Sequence, residues 1–247
     1  MRRKRIRFAA ALCVLLLSAS ACLADITGEP VNGVRKAGTV SRRPLGLEKD
    51  IFYTYIRSGR DDVVVVGLEG SGMNPHKEDT GLVWLDALSG YNIIDFSVAN
   101  ELELWNDKIR DPACENYSAA VVGAVKANYP GASRVGLYAF SKGASGADAV
   151  FRKLREEGFT VSFIWLNDAF TLHDLPYIKE AVEDGSVRIY LRYSRSKRLG
   201  KVCKDMCKAW EGRENVDGRH VSCSHGGLIR YDTFTAEMAA AIGRAAE

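Results

Sequence analysis

The sequence lacks long apolar runs, internal repeats and low-complexity tracts. Beyond residue 24, no stretch approaches the roughly 18 apolar residues that a membrane-spanning helix needs. We therefore do not expect an integral membrane protein. With 47% hydrophobic and 26% charged residues, the composition is that of a globular protein and not of a disordered one.

The sequence also lacks a basic surplus once its first residues are set aside. Residues 1–24 comprise a basic head, an apolar run over 8–17 and small residues up to Ala24, the order of a secretory signal peptide. Without the five basic residues of the head, 29 Lys and Arg face 31 Asp and Glu, so the formal net charge of +3 becomes −2. The composition therefore gives no support to nucleic-acid binding.

Two endings of this signal remain open. Ala19-Ser20-Ala21 before Cys22 is similar to a bacterial lipobox, although Ala19 stands where leucine is usual, and a lipidated Cys22 would attach the protein to a membrane. Cleavage after Ala21 or Ala24 would instead release a soluble protein. We expect an exported protein, periplasmic or secreted, with anchoring to the cell envelope as the alternative. Residues 25–45 are predicted to be a linker or extended arm, and residues 46–247 a single domain.

Few cysteines remain after the signal. They are Cys114, Cys203, Cys207 and Cys223. An even number in an exported chain predicts two disulfides, with Cys203 joined to Cys207 or Cys223. Free thiols are a second interpretation. A third is a zinc site, although the spacing is loose; its ligands would come from Cys203, Cys207, His220, Cys223 and His225.

Apolar, β-branched segments alternate with segments of helical periodicity. Strands are predicted over 51–57, 63–68, 91–98, 134–140, 161–166 and 187–193. Helices are predicted over 116–128, 143–157 and 175–182, with a last one whose apolar face carries Phe234, Met238, Ala241, Ile242 and Ala245. The alternation predicts an α/β fold with a mostly parallel central sheet and helices on both faces.

The most informative segment is Ala139-Phe140-Ser141-Lys142-Gly143-Ala144, between a predicted strand and a predicted helix. It has the small-x-Ser-x-small form of a nucleophile elbow, with Ala139 in place of the usual first glycine. A serine presented on so sharp a turn needs small residues two positions before and after it. The turn also aims the Lys142 N–H at a developing oxyanion. A corner of small residues without catalysis is the alternative interpretation.

With this elbow, the chain resembles the α/β-hydrolase family over residues 52–247. The resemblance rests on the order of an oxyanion-type loop (Glu69-Gly70-Ser71-Gly72), an elbow serine, an acid and a late histidine. It implies a second oxyanion N–H from Ser71 or Gly70, although Glu69 stands where the family often has histidine. It implies no metal and no organic cofactor.

The resemblance also implies a base and an acid. His225, before two glycines near the C-terminus, is the predicted base; His220 is the alternative, and His76 and His173 lie at unsuitable positions. Asp168 is the predicted acid because it follows the strand over 161–166, as in thioesterases and some lipases of the family. In other members the acid follows the next strand, where the first carboxylate here is Asp205. Asp217 and the absence of an acid remain open.

These expectations define an exported serine hydrolase that cleaves an ester or thioester through Ser141, His225 and Asp168 with an acyl-enzyme intermediate. A small-molecule or lipid ester is the expected substrate, and residues 74–89 and 194–218 the expected pocket walls. Esterase, lipase, peptidase and acyltransferase activities remain open, as does the oligomeric state. The rival is a non-catalytic envelope protein of the same fold that binds or interacts with a partner. A zinc hydrolase is a third hypothesis.

Overall fold

The computed structural model describes residues 30–31, 35–40, 50–58, 63–70, 88, 90–97, 110–170, 174–229 and 233–247. Within these ranges, nine strands form one sheet. They are β1 (Pro30–Val31), β2 (Arg35–Val40), β3 (Ile51–Ile56), β4 (Val63–Leu68), β5 (Asn92–Phe96), β6 (Arg134–Phe140), β7 (Thr160–Asn167), β8 (Arg188–Tyr193) and β9 (Val216–His220). Their order across the sheet is β1-β2-β3-β5-β4-β6-β7-β8-β9.

The sheet is parallel from β5 to β9 and antiparallel only at the edge formed by β1, β2 and β3. The central strand β4 has the sequence VVVVGL, and all of its residues are buried. A continuous apolar run of this kind is typical of a strand that is covered on both faces. The predicted mostly parallel sheet is therefore confirmed.

Helices cover both faces of the sheet. The described helices are α1 (Arg110–Asn128), α2 (Ala144–Glu156), α3 (Pro176–Glu183), α4 (Gly200–Ala209) and α5 (Phe234–Ala246). Alternate residues of β4 belong to two separate apolar clusters: Val64 and Val66 pack in one with α1 to α4, and Val63 and Val65 pack in the other with α5. Since successive side chains of a strand point to opposite faces, the two clusters lie on opposite sides of the sheet. None of the helices that the structure describes is long and apolar enough to cross a membrane.

Residues 25–45 were predicted as a linker or extended arm. The extended strands β1 and β2 lie within them, and β2 joins the sheet by pairing with β3 from Lys36↔Tyr55 to Val40↔Ile51. Backbone hydrogen bonds hold β2 on the edge of β3. Such bonds do not depend on the side chains, so a segment can pair in this way without an apolar periodicity. Helix α4 lies within the predicted pocket wall over 194–218. The wall predicted over 74–89 falls outside the described residues except for Leu88, as does the signal predicted over 1–24.

Candidate active site

The turn that follows β6 carries Ser141. The strand ends at Phe140, a short 3-10 turn spans Ser141–Gly143, and α2 continues from Ala144. Ser141 is buried and has a φ of 51°, in the left-handed region that side chains rarely adopt. Its carbonyl oxygen accepts the N–H of Phe170 at 2.8 Å, so the strained turn is held from the neighbouring strand end.

Close packing explains why glycine stands two positions after the serine. A Cβ at Gly143 would lie 2.1 Å from the carbonyl oxygen of Leu68 and 2.7 Å from that of Glu69. The turn therefore packs directly against the end of β4, with no room for a side chain. This contact also brings the 3-10 turn, with the Lys142 N–H, beside the predicted oxyanion loop. In that loop Glu69 and Gly70 are buried, whereas Ser71 lies outside the described residues.

Asp168 occupies the matching position on the next strand. Phe140 pairs with Asn167 at the last register position of β6 and β7. Ser141 and Asp168 are therefore the first residues after this pair on their two strands. Among the residues that the structure describes, these two are the only ones other than glycine with a positive φ, which is 38° at Asp168. Such strain of about 1–3 kcal/mol persists where the surroundings enforce it, often at functional sites.

His225 contacts this aspartate. Its Nδ1 lies 2.8 Å from Oδ2 of Asp168, whose side chain is completely buried, whereas the histidine side chain is 25% exposed. The imidazole also stacks on the ring of Phe140, with centroids 4.7 Å apart. Because Nδ1 faces an acceptor, we assign the proton to Nδ1, which leaves the lone pair on Nε2. The stacking holds this ring beside the residue that precedes Ser141.

Two polar side chains that the sequence did not suggest support this arrangement. The Asn167 amide donates from Nδ2 to the carbonyl oxygen of Leu228 at 3.2 Å, within the 3-10 turn His225–Ile229, and its Oδ1 accepts the Trp165 indole N–H at 2.7 Å. Ser194 donates its N–H to Oδ1 of Asp168 at 2.7 Å and its hydroxyl to Oδ2. A buried asparagine and a serine in a loop have no distinctive sequence signal, so only the structure identifies them.

The other candidate acids and bases lie in different surroundings. Asp205 is exposed on α4 and pairs with Lys201. Asp217 pairs with two arginines, and His220 packs beside Tyr193 with ring centroids 5.3 Å apart. His76 and His173 lie outside the described residues. Of these candidates, Asp168 and His225 are the acid and base that contact each other.

The disulfide prediction is wrong for this structure, in which Cys114, Cys203, Cys207 and Cys223 are free thiols. Cys203 is buried under Asp168, where its Sγ accepts the Ala169 N–H at 3.1 Å, and burial raises the pKa of its thiol. Cys207 lies one helical turn further along α4 and packs against Gly218 of β9. The two thiols thus have different packing partners. Among the described residues, no group of three His, Cys, Asp or Glu side chains could hold a metal ion, so the proposed zinc ligands do not converge.

Comparison with known proteins gives a fold. No family model and no curated protein matches the sequence. Among solved structures, an ester hydrolase from the metagenome of Lake Arreo aligns with a TM-score of 0.58 at 13% identity, over 87% of this chain and 85% of its own. An esterase from Pyrococcus furiosus gives 0.56 at 15% identity over 91% and 98% of the two chains. The carboxylesterase CesB from Bacillus subtilis gives 0.56 at 8% identity over 86% and 92%.

The protein has the α/β-hydrolase fold. The alignments cover most of this chain and of each esterase, so the likeness concerns the whole domain and not one shared motif. At these identities it establishes the architecture alone. Within this α/β-hydrolase fold, Ser141, Asp168 and His225 all follow the carboxyl ends of parallel strands, where the connecting loops meet.

Proposed function

We propose that the protein is a serine hydrolase that cleaves carboxylic esters, with Ser141 as nucleophile, His225 as general base and Asp168 as the acid that orients His225. The observation that supports this most strongly is the pairing of the two strained residues. Ser141 and Asp168 follow adjacent strand ends, and the partly exposed imidazole of His225 bonds Asp168 and stacks on Phe140, the residue before Ser141. A thioester would fit the same chemistry, and the esterases of similar structure favour an ester.

The reaction begins when Oγ of Ser141 attacks the substrate carbonyl carbon and its proton passes to Nε2 of His225. The imidazolium that forms is stabilised by the carboxylate of Asp168 at Nδ1. The negative charge on the carbonyl oxygen would be bound by the N–H of Lys142 and by that of Gly70 or Ser71.

The intermediate then collapses as the bond to the leaving oxygen breaks and His225 returns its proton to that oxygen. An alcohol leaves and an acyl-serine remains. Water then attacks the acyl carbon while His225 takes its proton. As the bond from the acyl carbon to Oγ of Ser141 breaks, His225 returns that proton to Oγ, which releases the carboxylic acid and free Ser141. No metal or organic cofactor takes part in this scheme.

A non-catalytic role has one observation in its favour. Glu69, where the family often has histidine, is 1% exposed at the end of β4, beside the turn that bears the serine. A buried carboxylate near an oxyanion site would weaken the binding of negative charge. The rival function is therefore a binding protein that keeps the elbow without turnover.

Reaction with a fluorophosphonate probe separates the two functions. We expect covalent labelling of the folded protein and hydrolysis of p-nitrophenyl esters, both lost in Ser141→Ala, with kcat lowered by about a thousandfold or more. Ser145→Ala is the matched control, since Ser145 is also buried at the start of the same helical segment. Wild-type protein that is folded yet neither labelled nor active would support the binding role. A panel of acyl chain lengths would then distinguish small-molecule from lipid esters.

Export also belongs to this proposal. Residues 1–24 would direct the chain to the periplasm or the medium, with a lipid on Cys22 as the alternative fate. Mass spectrometry of the mature N-terminus tests it: a chain beginning at Asp25 or at unmodified Cys22 means soluble export, and a diacylated Cys22 means anchoring. An uncleaved N-terminus would contradict both.

A further inference from the structure

Ser194 donates two hydrogen bonds to Asp168, one from its backbone N–H and one from its hydroxyl. Ser194 follows β8, as Asp168 follows β7, and the Asp168 N–H donates to the carbonyl oxygen of Arg192 at 2.8 Å. In return, the Ser194 N–H donates to Oδ1 of Asp168 at 2.7 Å, and the Ser194 hydroxyl donates to Oδ2. Both residues are buried. The carboxylate is thus fixed by two donors from one residue before His225 is considered.

The direction of the Ser194 hydroxyl is itself determined. Its Oγ accepts the N–H of Ser196 at 3.1 Å. A hydroxyl has one proton to donate, and with its oxygen already accepting a backbone N–H, that proton points to the carboxylate. Because Oδ2 is also the atom that faces Nδ1 of His225, the serine and the histidine donate to the same oxygen.

Helix α4 packs against both Ser194 and Asp168. A Cβ at Gly200, the first residue of the helix, would lie 2.8 Å from the Ser194 carbonyl oxygen and 3.1 Å from Oδ1 of Asp168. The helix therefore starts against both groups, and neither can turn away without moving it. This packing keeps the carboxylate in one rotamer at a backbone conformation that is already strained.

We propose that Ser194 is a positioning residue for catalysis: through its hydroxyl it fixes the Asp168 carboxylate in the orientation that holds His225 with its proton on Nδ1. The inference rests on the proposed serine hydrolase function. Ser194 does not contact the reacting atoms, so its loss affects the rate through the alignment of the imidazole. Substrate binding before the chemical step is unchanged.

Two variants of Ser194 test the proposal. Ser194→Ala keeps the backbone N–H donor and removes the hydroxyl, so kcat for a p-nitrophenyl ester should fall about 10- to 100-fold with KM within a factor of two. Ser194→Cys keeps a side chain of similar shape with a weaker donor, and its kcat should lie between those of Ser194→Ala and the wild type. If the alanine variant does not fold, the cysteine variant decides.

The matched control is Ser196→Ala. Ser196 is two residues further along the same loop, and its hydroxyl accepts the Leu199 N–H at 3.1 Å with no contact to Asp168. We expect kcat within a factor of two of wild type, and melting temperatures of all three variants within a few degrees of one another. A Ser194→Ala variant with wild-type kcat would overturn the proposal. So would equal losses of kcat in Ser194→Ala and Ser196→Ala, since the effect would then belong to the loop and not to the hydroxyl.

These outcomes differ from a failure of the proposed function. If ester hydrolysis survives in Ser141→Ala, the serine mechanism itself is wrong, whatever Ser194 does. If hydrolysis disappears in Ser141→Ala and Asp168→Asn but is normal in Ser194→Ala, the mechanism stands and the positioning role is rejected.

Discussion

Two buried ionisable residues, Arg192 in β8 and Asp168 just beyond the end of β7, differ in the groups that they contact. Asp168 is 0% exposed and Arg192 is 1% exposed. The Arg192 guanidinium pairs with Glu237 at 2.9 Å and Asp217 at 3.2 Å, donates to two backbone carbonyl oxygens and lies 4.9 Å above the Trp165 ring. The carboxylate of Asp168 is bonded by Ser194 and by a histidine that is partly open to solvent.

The contacts of Arg192 and Asp168 differ in whether they include a group that can transfer a proton. Arg192 and its carboxylates form a closed ion cluster that joins β8, β9 and α5, and arginine does not release its proton in proteins. Asp168 instead contacts the imidazole of His225, whose second ring nitrogen takes up a proton in the proposed mechanism. Burial alone therefore does not separate the two residues, whereas a titratable neighbour distinguishes Asp168 from Arg192.

The largest expected effect is on turnover in Asp168→Asn. The amide keeps the size of the side chain but presents an N–H to its neighbours, so the preferred tautomer of His225 is lost and kcat should fall on the order of a thousandfold. The melting temperature should change by no more than a few degrees, since asparagine tolerates a positive φ. Steady-state kinetics and thermal melting measure both. A variant with kcat near wild type would remove Asp168 from the mechanism and with it the contrast to Arg192.

A second expected effect concerns packing beside the serine, where neither charge takes part. Gly143→Ala would place Cβ against the backbone oxygens of Leu68, the last residue of β4, and of Glu69, which cannot move aside as a flexible side chain would. We expect a loss of at least about 3 kcal/mol in the free energy of unfolding, measured with urea. Gly243→Ala in α5 is the control, because nothing lies within 4 Å of its Cβ and alanine favours a helix by about 1 kcal/mol. Equal stability of the two variants would contradict the close approach of the turn to β4.

For Arg192 we expect the opposite pattern to that of Asp168. Arg192→Met leaves Asp217 and Glu237 without their buried partner. Because these carboxylates keep about a fifth of their surface in solvent, we expect a loss of about 2–3 kcal/mol in unfolding free energy. The kcat per folded molecule should stay within about threefold. Arg195→Met, at an exposed arginine bonded to Ser222, should change stability by less than about 0.5 kcal/mol. A large loss of kcat in the Arg192 variant at full stability would break the comparison.

The smallest expected effect is the pH dependence of stability from Asp148. Burial raises the pKa of Asp148 to about 6, more than the N–H groups of Ile178 and Tyr177 lower it. Because the folded state binds this proton more tightly than the unfolded state does, the stabilisation is complete below pH 4 and is lost as the pH rises through about 6.

Asp148→Asn removes this titration and keeps an oxygen for the Ile178 N–H, which lies 2.9 Å from Oδ1. The difference in melting temperature, variant minus wild type, should therefore become more positive between pH 4 and pH 7. The corresponding change in unfolding free energy between these pH values should be about 1 kcal/mol after allowance for solvent, since the group is partly exposed. A difference that does not vary with pH would show that burial does not affect this carboxyl.

Much of the fold follows from local patterns, because each pattern reflects burial of a whole strand or helix face. The runs over 63–68 and 134–140 match β4 and β6 residue for residue, and the five apolar residues chosen for the last helix are all buried in α5. Helix α4 was missed because its lysines hide a short apolar face. Strand β2 was missed because backbone pairing with β3 holds it. The disulfides were predicted from an even number of cysteines in a chain expected to be exported, and neither observation says where each thiol packs.

The features of the candidate site also separate into those set by local sequence and those set by tertiary contacts. By itself the sequence determined the sharp turn at Ser141, since small residues around a serine between a buried strand and a helix are a local requirement of that backbone. Only the tertiary structure decided which acid meets which histidine, because Asp168 and His225 are 57 residues apart. It also decided that Ser194, 26 residues from Asp168, bonds the same carboxylate. Contacts at such separations depend on strand order and register, and no short segment of the chain encodes either.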